Sequence, residues 1–318
     1  MKKPLVPDSE ESLGLRAAWL HYVGGLTQAA VAKRLGLPSV KTHRLIARAV
    51  AEGAVKVTID GDIVACVELE SRLCARFGLN FCRVTPDLAE EGLPLRALGL
   101  AGAEYLRNLL SNNPAITIGI GHGRTLSAAI HQLPHLDASH ARFVSLLGCL
   151  TRNYALNPHD VMHRIAEKTG AQAYMMPVPF FANTVEDREV LLSQRSVSEV
   201  FSMAAGSTVK LVGIGTVEPA AQLVEAGLIA VQEINDISAA GAIGEMLGYF
   251  FDARGQRITN SLTARTLAVS LDARRRENIV ALVGGQSKVA ATKAALASGL
   301  LSGLITDEQT AQTLLAEA

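Results

Sequence analysis

"IGIGHGRTL", residues 118–126, runs from the end of an apolar strand into a glycine-rich turn and then into a helix. Backbone N–H groups freed by such glycines, together with a helix N-terminus, favour an anion such as a phosphate. The stretch therefore raises a question: is the anion a substrate to be turned over, or a signal to be read?

The surrounding sequence repeats the pattern. "AITIGI", "RFVSLLG", "AQAYMMPV", "VKLVGIG" and "IVALVGG" are short, continuously apolar runs, and "SGLITDE" supplies a shorter one. Such runs between helical stretches predict a parallel sheet covered by helices on both faces, an α/β domain. Ligands in these folds sit beyond the carboxyl ends of the strands. Four turns are thus candidate site loops: Gly119 to Thr125, Gly148 with Cys149, Gly213 to Thr216, and Gly284 to Lys288.

With 318 residues, 49 % of them hydrophobic, the chain is long enough for a large core and for two domains. No run approaches the ~18 uninterrupted apolar residues of a membrane span. The start "MKKPLVPDSEES" has lysines but no apolar segment behind them, so a cytoplasmic protein is expected. Cys66, Cys74, Cys82 and Cys149 form no C-x-x-C pair, which predicts free thiols rather than a zinc or redox motif. "HDVMH" spaces His159 and His163 like metal ligands, but Asp160 replaces the usual glutamate and no third ligand is evident. Ser145 and Ser287 lack a nucleophile elbow, and "DARRRE" (272–277) reads as a solvated charged turn. Neither a metal nor a cofactor is expected.

The formal charge of zero conceals an asymmetry. Residues 1–60 hold nine Lys or Arg against five Asp or Glu, and between Leu26 and Lys56 there are six basic residues and one acid, Glu52. That is an electrostatic footprint for nucleic acid. "LGLRAAWLHYV" places Leu13, Ala17, Leu20 and Val23 at helical spacing before Gly24 and Gly25. Thr27 is a cap for "QAAVAKRLG", with Ala30, Val31 and Leu35 on one face and Gly36 as its stop. After Pro38 and the cap candidate Ser39, "VKTHRLIARAVAEG" turns Val40, Leu45, Ile46, Ala49 and Val50 inward. Three short helices with a tight turn between the second and third predict a helix-turn-helix. The third would present Ser39, Lys41, Thr42, His43, Arg44 and Arg48 to a major groove, while Gln28, Lys33 and Arg34 of the second contact phosphates.

"VKVTIDGDIVACV" alternates around Asp60 and Gly61 as a hairpin wing or a linker. "VELESRLCARFGL" then sets Val67, Leu69, Leu73 and Phe77 on one face, suited to holding two chains together. These signals divide the chain into a DNA-binding domain, 1–57, and an effector domain, 58–318, with 58–80 as linker and candidate oligomerisation segment.

Four ordered motifs, "GLTQAAVAKRLGLPSVKTHRLIARAVAEGAV", "IGIGHGRTL", "GAIGEMLGYFFDARG" and "VALVGGQSKVAATKAALASGLLSGLITDEQTAQTLL", resemble the SorC-type sugar-responsive transcriptional regulators of bacteria. The resemblance covers essentially the whole chain after residue 12. It implies a Rossmann-like effector domain related to sugar-phosphate isomerases and coenzyme A transferases, which binds a small polyol or sugar phosphate without converting it. It further implies homodimers or homotetramers on operator DNA and repression released by an inducer. "RAAWLHYVGGLTQ" and "LTRNYALNPHDVMHRIAEKTG" narrow the resemblance to members governing a polyol of the erythritol type. Carried onto this sequence, the resemblance makes the turn Gly119, Gly121, His122, Gly123, Arg124 and Thr125 a phosphate cradle. It also makes Lys288 and Glu245 ligand contacts, adds Gly148, and places Asn157 where some relatives have a polar sugar contact. Leu147 stands where relatives that grip a second phosphate have a basic residue, so one phosphate at most is expected, with Arg124 and Arg152 to neutralise it. The alternative is a sugar-phosphate isomerase or deaminase using Glu245 as base and Lys288 as electrostatic partner. Against it, "NDISAAGAIGE" lacks the Asp-Gly-Ala-Asp-Glu string of ribose-phosphate isomerases.

Overall fold

The computed structural model describes residues 10–55, 64–149, 161–272 and 277–316. The chain divides into two units, Met1–Gly61 and Asp62–Ala318. The hairpin expected around Asp60 and Gly61, and Asn157, Arg152, His159, Asp160 and the arginines at 274–276, lie outside the described residues.

The first unit contains α1 (Glu10–Tyr22), α2 (Gln28–Leu35) and α3 (Ser39–Ala51). Thr27 caps α2 by accepting from the Ala30 N–H at 3.2 Å, and Gly36 ends it at φ 65°, a left-handed conformation that suits glycine. Ala17, Leu20, Val31 and Ile46 form the core, with Leu26 and Leu35 packed against it. Two expectations about phase are corrected. Val23 is exposed at the end of α1, and in α3 the buried set is Thr42, Leu45, Ile46 and Ala49, not a set beginning at Val40. Positions 42, 45, 46 and 49 follow the i, i+3, i+4, i+7 rule, which leaves Val40 on the opposite side, 83 % exposed. Thr42 tolerates burial because its hydroxyl donates to the Pro38 carbonyl at 3.2 Å. Pro38 is the N-cap, and Ser39 is the first helical residue rather than a cap.

The second unit begins with α4 (Val64–Phe77), β1 (Phe81–Thr85), α5 (Leu95–Asn112), β2 (Thr117–Ile120), α6 (Arg124–Gln132) and β3 (Arg142–Cys149). It continues with α7 (Met162–Thr169), β4 (Gln172–Pro179), α8 (Val185–Ser193), α9 (Arg195–Ala205), β5 (Val209–Val212) and β6 (Gly215–Thr216). Then come α10 (Gln222–Glu225), α11 (Val231–Ala239), β7 (Gly244–Met246), β8 (Tyr249–Phe251), β9 (Arg257–Ile258) and α12 (Ser261–Ala264). The last elements are β10 (Ile279–Leu282), a 3-10 turn (Gln286–Lys288), α13 (Val289–Ala297), β11 (Gly303–Asp307) and α14 (Glu308–Ala316).

Seven parallel strands form one sheet in the order β1-β11-β10-β5-β2-β3-β4. Alternate residues of each strand enter different cores, as the two-residue period requires. Val280 and Leu282 join the cluster containing Leu98, Leu106, Leu126 and Ile130 of α5 and α6, while Ile279 and Ala281 join the one holding Leu73, Ala204 and Ala295. The chain steps from β2 outward to β4, then returns to β5 on the other side of β2 and continues outward to β11. Between β2 and β5 the order reverses, and at such a switch point the carboxyl ends of α/β strands open a crevice.

A second, antiparallel sheet runs β6-β7-β8-β9 and was not foreseen. Leu247 and Gly248 join β7 to β8 with φ of 54° and 77°, a primed two-residue hairpin turn. In α4, Cys66, Leu69 and Leu73 are buried in the same cluster as Val84, Leu304 and Leu314. Leu69 and Leu73 of the expected apolar face are thus packed within their own domain, while Val67 and Phe77 are half-buried.

Candidate functional site

Three central strands deliver the site. Beyond the ends of β2, β5 and β10, the segments His122–Thr125, Gly213–Thr216 and Val283–Gly284 line one cavity with Glu245 and Lys288. Glycine is required here by close approach: a Cβ on Gly213 would come within 2.8 Å of the His122 carbonyl. Gly123, at φ 129°, precedes α6 without offering a side-chain cap. The first-turn N–H groups of Arg124, Thr125 and Leu126 have no protein acceptor among the described residues, so they are available to an anion. The Thr125 hydroxyl is engaged, donating to the Leu282 carbonyl at 2.8 Å, and fixes α6 to β10.

Lys288 reaches across from the 3-10 turn, its Nζ donating to the Ile214 carbonyl at 2.6 Å. Burial holds its ammonium below the ordinary lysine range; Glu245 opposes that shift and Arg124 adds to it. Glu245 is almost fully buried in β7. Its Oε1 accepts from the Gly248 N–H at 2.6 Å, securing the hairpin turn, and lies 3.9 Å from His122 Nε2. Its Oε2 lies over Gly215, where a Cβ would come within 2.5 Å. The cavity thus brings Arg124, Lys288 and the first turn of α6 together with the Glu245 carboxylate. That arrangement suits a small polyhydroxylated molecule bearing one anionic group.

Of the residues expected to bind ligand, His122, Gly123, Arg124, Thr125, Glu245 and Lys288 line this cavity. Gly119, Gly121 and Gly148 are not among the residues lining this cavity and sit where the chain packs closely. A Cβ on Gly119 would stand 2.4 Å from Leu146 Cδ2, and one on Gly121 would meet Leu247 and the Leu211 carbonyl. At Gly148 it would fall 2.2 Å from the Pro179 carbonyl oxygen, where β3 and β4 pair with shifted register. Leu93, Ala221, Gln222 and Leu223 also line the site and were missed, because Leu93 follows a lone Gly92 and the others sit at the start of the short α10, which carries no ligand motif. The cavity has a volume of about 30 Å³. A larger cavity of about 540 Å³ lies beyond β3 and β4, but it is lined mainly by Pro177, Phe180, Phe181, Leu228 and Leu262. Its charged pair, Arg265 and Glu233, is already joined at 2.7 Å.

In the first unit, Ser39, His43, Arg44 and Arg48 stand exposed on the outer face of α3, with Lys33 and Arg34 exposed on α2 and Gln28 and Lys41 half-buried. Thr42 does not join them. Val40 does, though it was expected in the core. Glu10 lies 3.6 Å from Arg44 and 3.7 Å from Arg48, loose pairs between solvated side chains. Among the described residues no group of three or more His, Cys, Asp or Glu is placed to hold a metal. No described helix is long and apolar enough to cross a membrane.

The family model described as "Putative sugar-binding domain" matches residues 61–316. The chain is 61 % identical over 310 residues to the Erythritol catabolism regulatory protein EryD of Brucella abortus (strain 2308), covering 98 % of each. The chain belongs to the SorC-type sugar-binding transcriptional regulators. A second relative of this regulator, the Transcriptional regulator LsrR of Enterobacter sp. (strain 638), is 33 % identical over 98 % of this chain and 94 % of its own length. The full-length Sorbitol Operon Regulator SorC from Klebsiella pneumoniae shares the fold, with a TM-score of 0.69 over 96 % of this chain and 99 % of that one, at 24 % identity. These relatives are regulators rather than enzymes, and the isomerase or deaminase alternative finds no support among them.

Proposed function

We propose that this regulator represses a polyol catabolic operon, most simply one for erythritol, and that erythritol or its phosphate is the effector that releases it. One observation carries the reading: a free helix N-terminus, Arg124, Lys288 and Glu245 converge on a single cavity. The anionic group would sit on the first turn of α6 against Arg124 and Lys288, and Glu245 would accept from a hydroxyl. The domain thereby resembles a sugar-phosphate isomerase site put to sensing. Leu93, Ala221 and Gln222 would border the bound effector. A ligand that prefers one of two states shifts their populations, and only such a ligand regulates.

On DNA, α3 would enter the major groove. His43, Arg44 and Arg48 would supply donors to base edges and phosphates, Val40 an apolar contact for a thymine methyl, and Lys33 and Arg34 phosphate contacts. Two-fold operators require at least a homodimer, and a homotetramer would bridge two of them; the regulator acts in the cytoplasm. The test is a gel shift with the duplex upstream of the regulator's own gene, titrated with erythritol and with erythritol 4-phosphate. Release by either compound is expected. Retention of the shift at every concentration of both would overturn the inducer assignment.

A further inference from the structure

Asp307, at the end of β11, is 5 % exposed, and no cationic side chain is among its hydrogen-bond partners. A buried carboxylate is costly unless donors compensate it. Here the donors belong to two places. Oδ2 accepts from the Gly285 N–H at 3.0 Å and from the Thr310 hydroxyl at 2.6 Å, while Oδ1 accepts from the Thr310 N–H at 3.0 Å. The Gly285 N–H also donates to Thr310 Oγ1 at 2.8 Å. The fit leaves no slack: a Cβ on Gly284 would lie 2.1 Å from Asp307 Oδ2.

The same helix is tied at its other end. The Leu315 carbonyl accepts from Arg76 Nη1 of α4 at 2.8 Å. Ala311 and Leu314 of α14 share a cluster with Cys66, Leu69 and Leu73 of α4. Between the two ends, the Thr313 hydroxyl, which donates to the Gln309 carbonyl at 2.9 Å, also lies 3.2 Å from Gln286 Oε1 in the 3-10 turn. The turn that carries Lys288 is therefore bonded to α14, and α14 to the helix that follows the DNA-binding unit in the chain.

We propose that Asp307 and Thr310 are positioning residues that hold the Gly284–Lys288 turn and, through α14, connect the effector site to α4. The inference rests on the reading of that turn as part of the effector site. An effector that moves Lys288 would displace a turn whose N–H is held by the first residues of α14, and a helix transmits that displacement to its far end as a rigid element.

The experiment is amide hydrogen exchange on the full chain, comparing wild type with Thr310→Val, Thr310→Ser and Arg76→Ala. Thr310→Val should speed exchange about fivefold in both the 284–288 turn and α4, the effect of one lost hydrogen bond. Thr310→Ser, which keeps the hydroxyl, should stay near wild type, and α8 and α9 should be unchanged in both. Arg76→Ala, at an exposed contact, should loosen α4 and leave the turn protected. Faster exchange confined to the turn, or spread evenly over the domain, overturns the connection. A parallel gel shift with erythritol 4-phosphate should show Thr310→Val and Arg76→Ala binding the duplex like wild type but responding at least about threefold less. A wild-type protein that ignores the compound would refute the effector assignment, while the exchange comparison still decides whether α14 joins the two regions.

Discussion

Arg44 is the side chain on which the DNA-binding reading is most exposed to test. Its partner in the free protein, Glu10, is 3.6 Å away and both are largely solvated, so the pair contributes little and does not sequester the guanidinium. Arg44→Ala should weaken operator binding by about tenfold or more, the ~1.4 kcal/mol or greater of a good base contact. Equal affinity and equal sequence preference in a binding titration would remove Arg44 from the interface. Lys288 makes a prediction of a different kind. Its folded value lies below the ordinary 10.5, so the native state binds fewer protons than the unfolded state in the interval between the two values. Stability from this group therefore rises with pH across that interval, and is lower on the acid side where the buried ammonium is fully charged. Thermal melts of wild type and Lys288→Met on raising the pH toward 10.5 should converge in favour of wild type; parallel curves would mean that the lysine is not desolvated. An anionic effector should bind more weakly over the same window, because the ammonium it needs is being lost.

At the scale of elements, the difference between reading a helix and reading its phase is clear in α3. Binary patterning assigns valine to the core and threonine to the surface, and it placed Val40 in and Thr42 out. The geometry does the reverse, because burial follows the 42, 45, 46, 49 register and Thr42 satisfies its hydroxyl on Pro38. Thr42→Val should accordingly leave operator affinity within about twofold while altering stability by about 1 kcal/mol, the worth of one hydrogen bond. A large loss of operator affinity in a folded Thr42→Val protein would restore Thr42 to the interface. Strands β2, β3, β4, β5, β10 and β11 were legible as short, continuously apolar runs, and β2, β3, β5 and β10 also because each ends in or just before glycine. β1, whose sequence "FCRVT" is broken by Arg83, was not. Nor were β6 to β9, since strands of two or three residues are too short to show alternation. Glycine itself is an ambiguous signal: Gly123 and Gly213 do frame the site, whereas Gly148 exists for β3 and β4 to meet. Gly148→Ala should cost about 1–3 kcal/mol, as overpacking against immovable backbone does, without a specific effect on effector affinity in the protein that remains folded. A denaturant titration midpoint unchanged from wild type would show that β4 can move aside.

For the whole molecule, the two units differ enough in core size to be told apart by heat. The first relies on Ala17, Leu20, Val31 and Ile46 with two partly buried leucines, a core that leaves a domain of this length marginal. The second has clusters on both faces of a seven-stranded sheet. Calorimetry of the full chain should therefore resolve a small early transition from a larger late one, departing from two-state behaviour. Operator duplex at about 100 times its dissociation constant adds ~2.7 kcal/mol to the unit it binds. In a domain of about 60 residues that raises the midpoint by on the order of 10–20 °C. The early transition should move by that amount, and erythritol 4-phosphate alone should move only the late one. With both present, the early transition should fall back toward its DNA-free position, because an effector that weakens operator binding must be opposed by operator to the same extent. A single transition raised equally by either ligand would mean that the units unfold as one body, and the assignment of DNA and effector to separate units would fail with it.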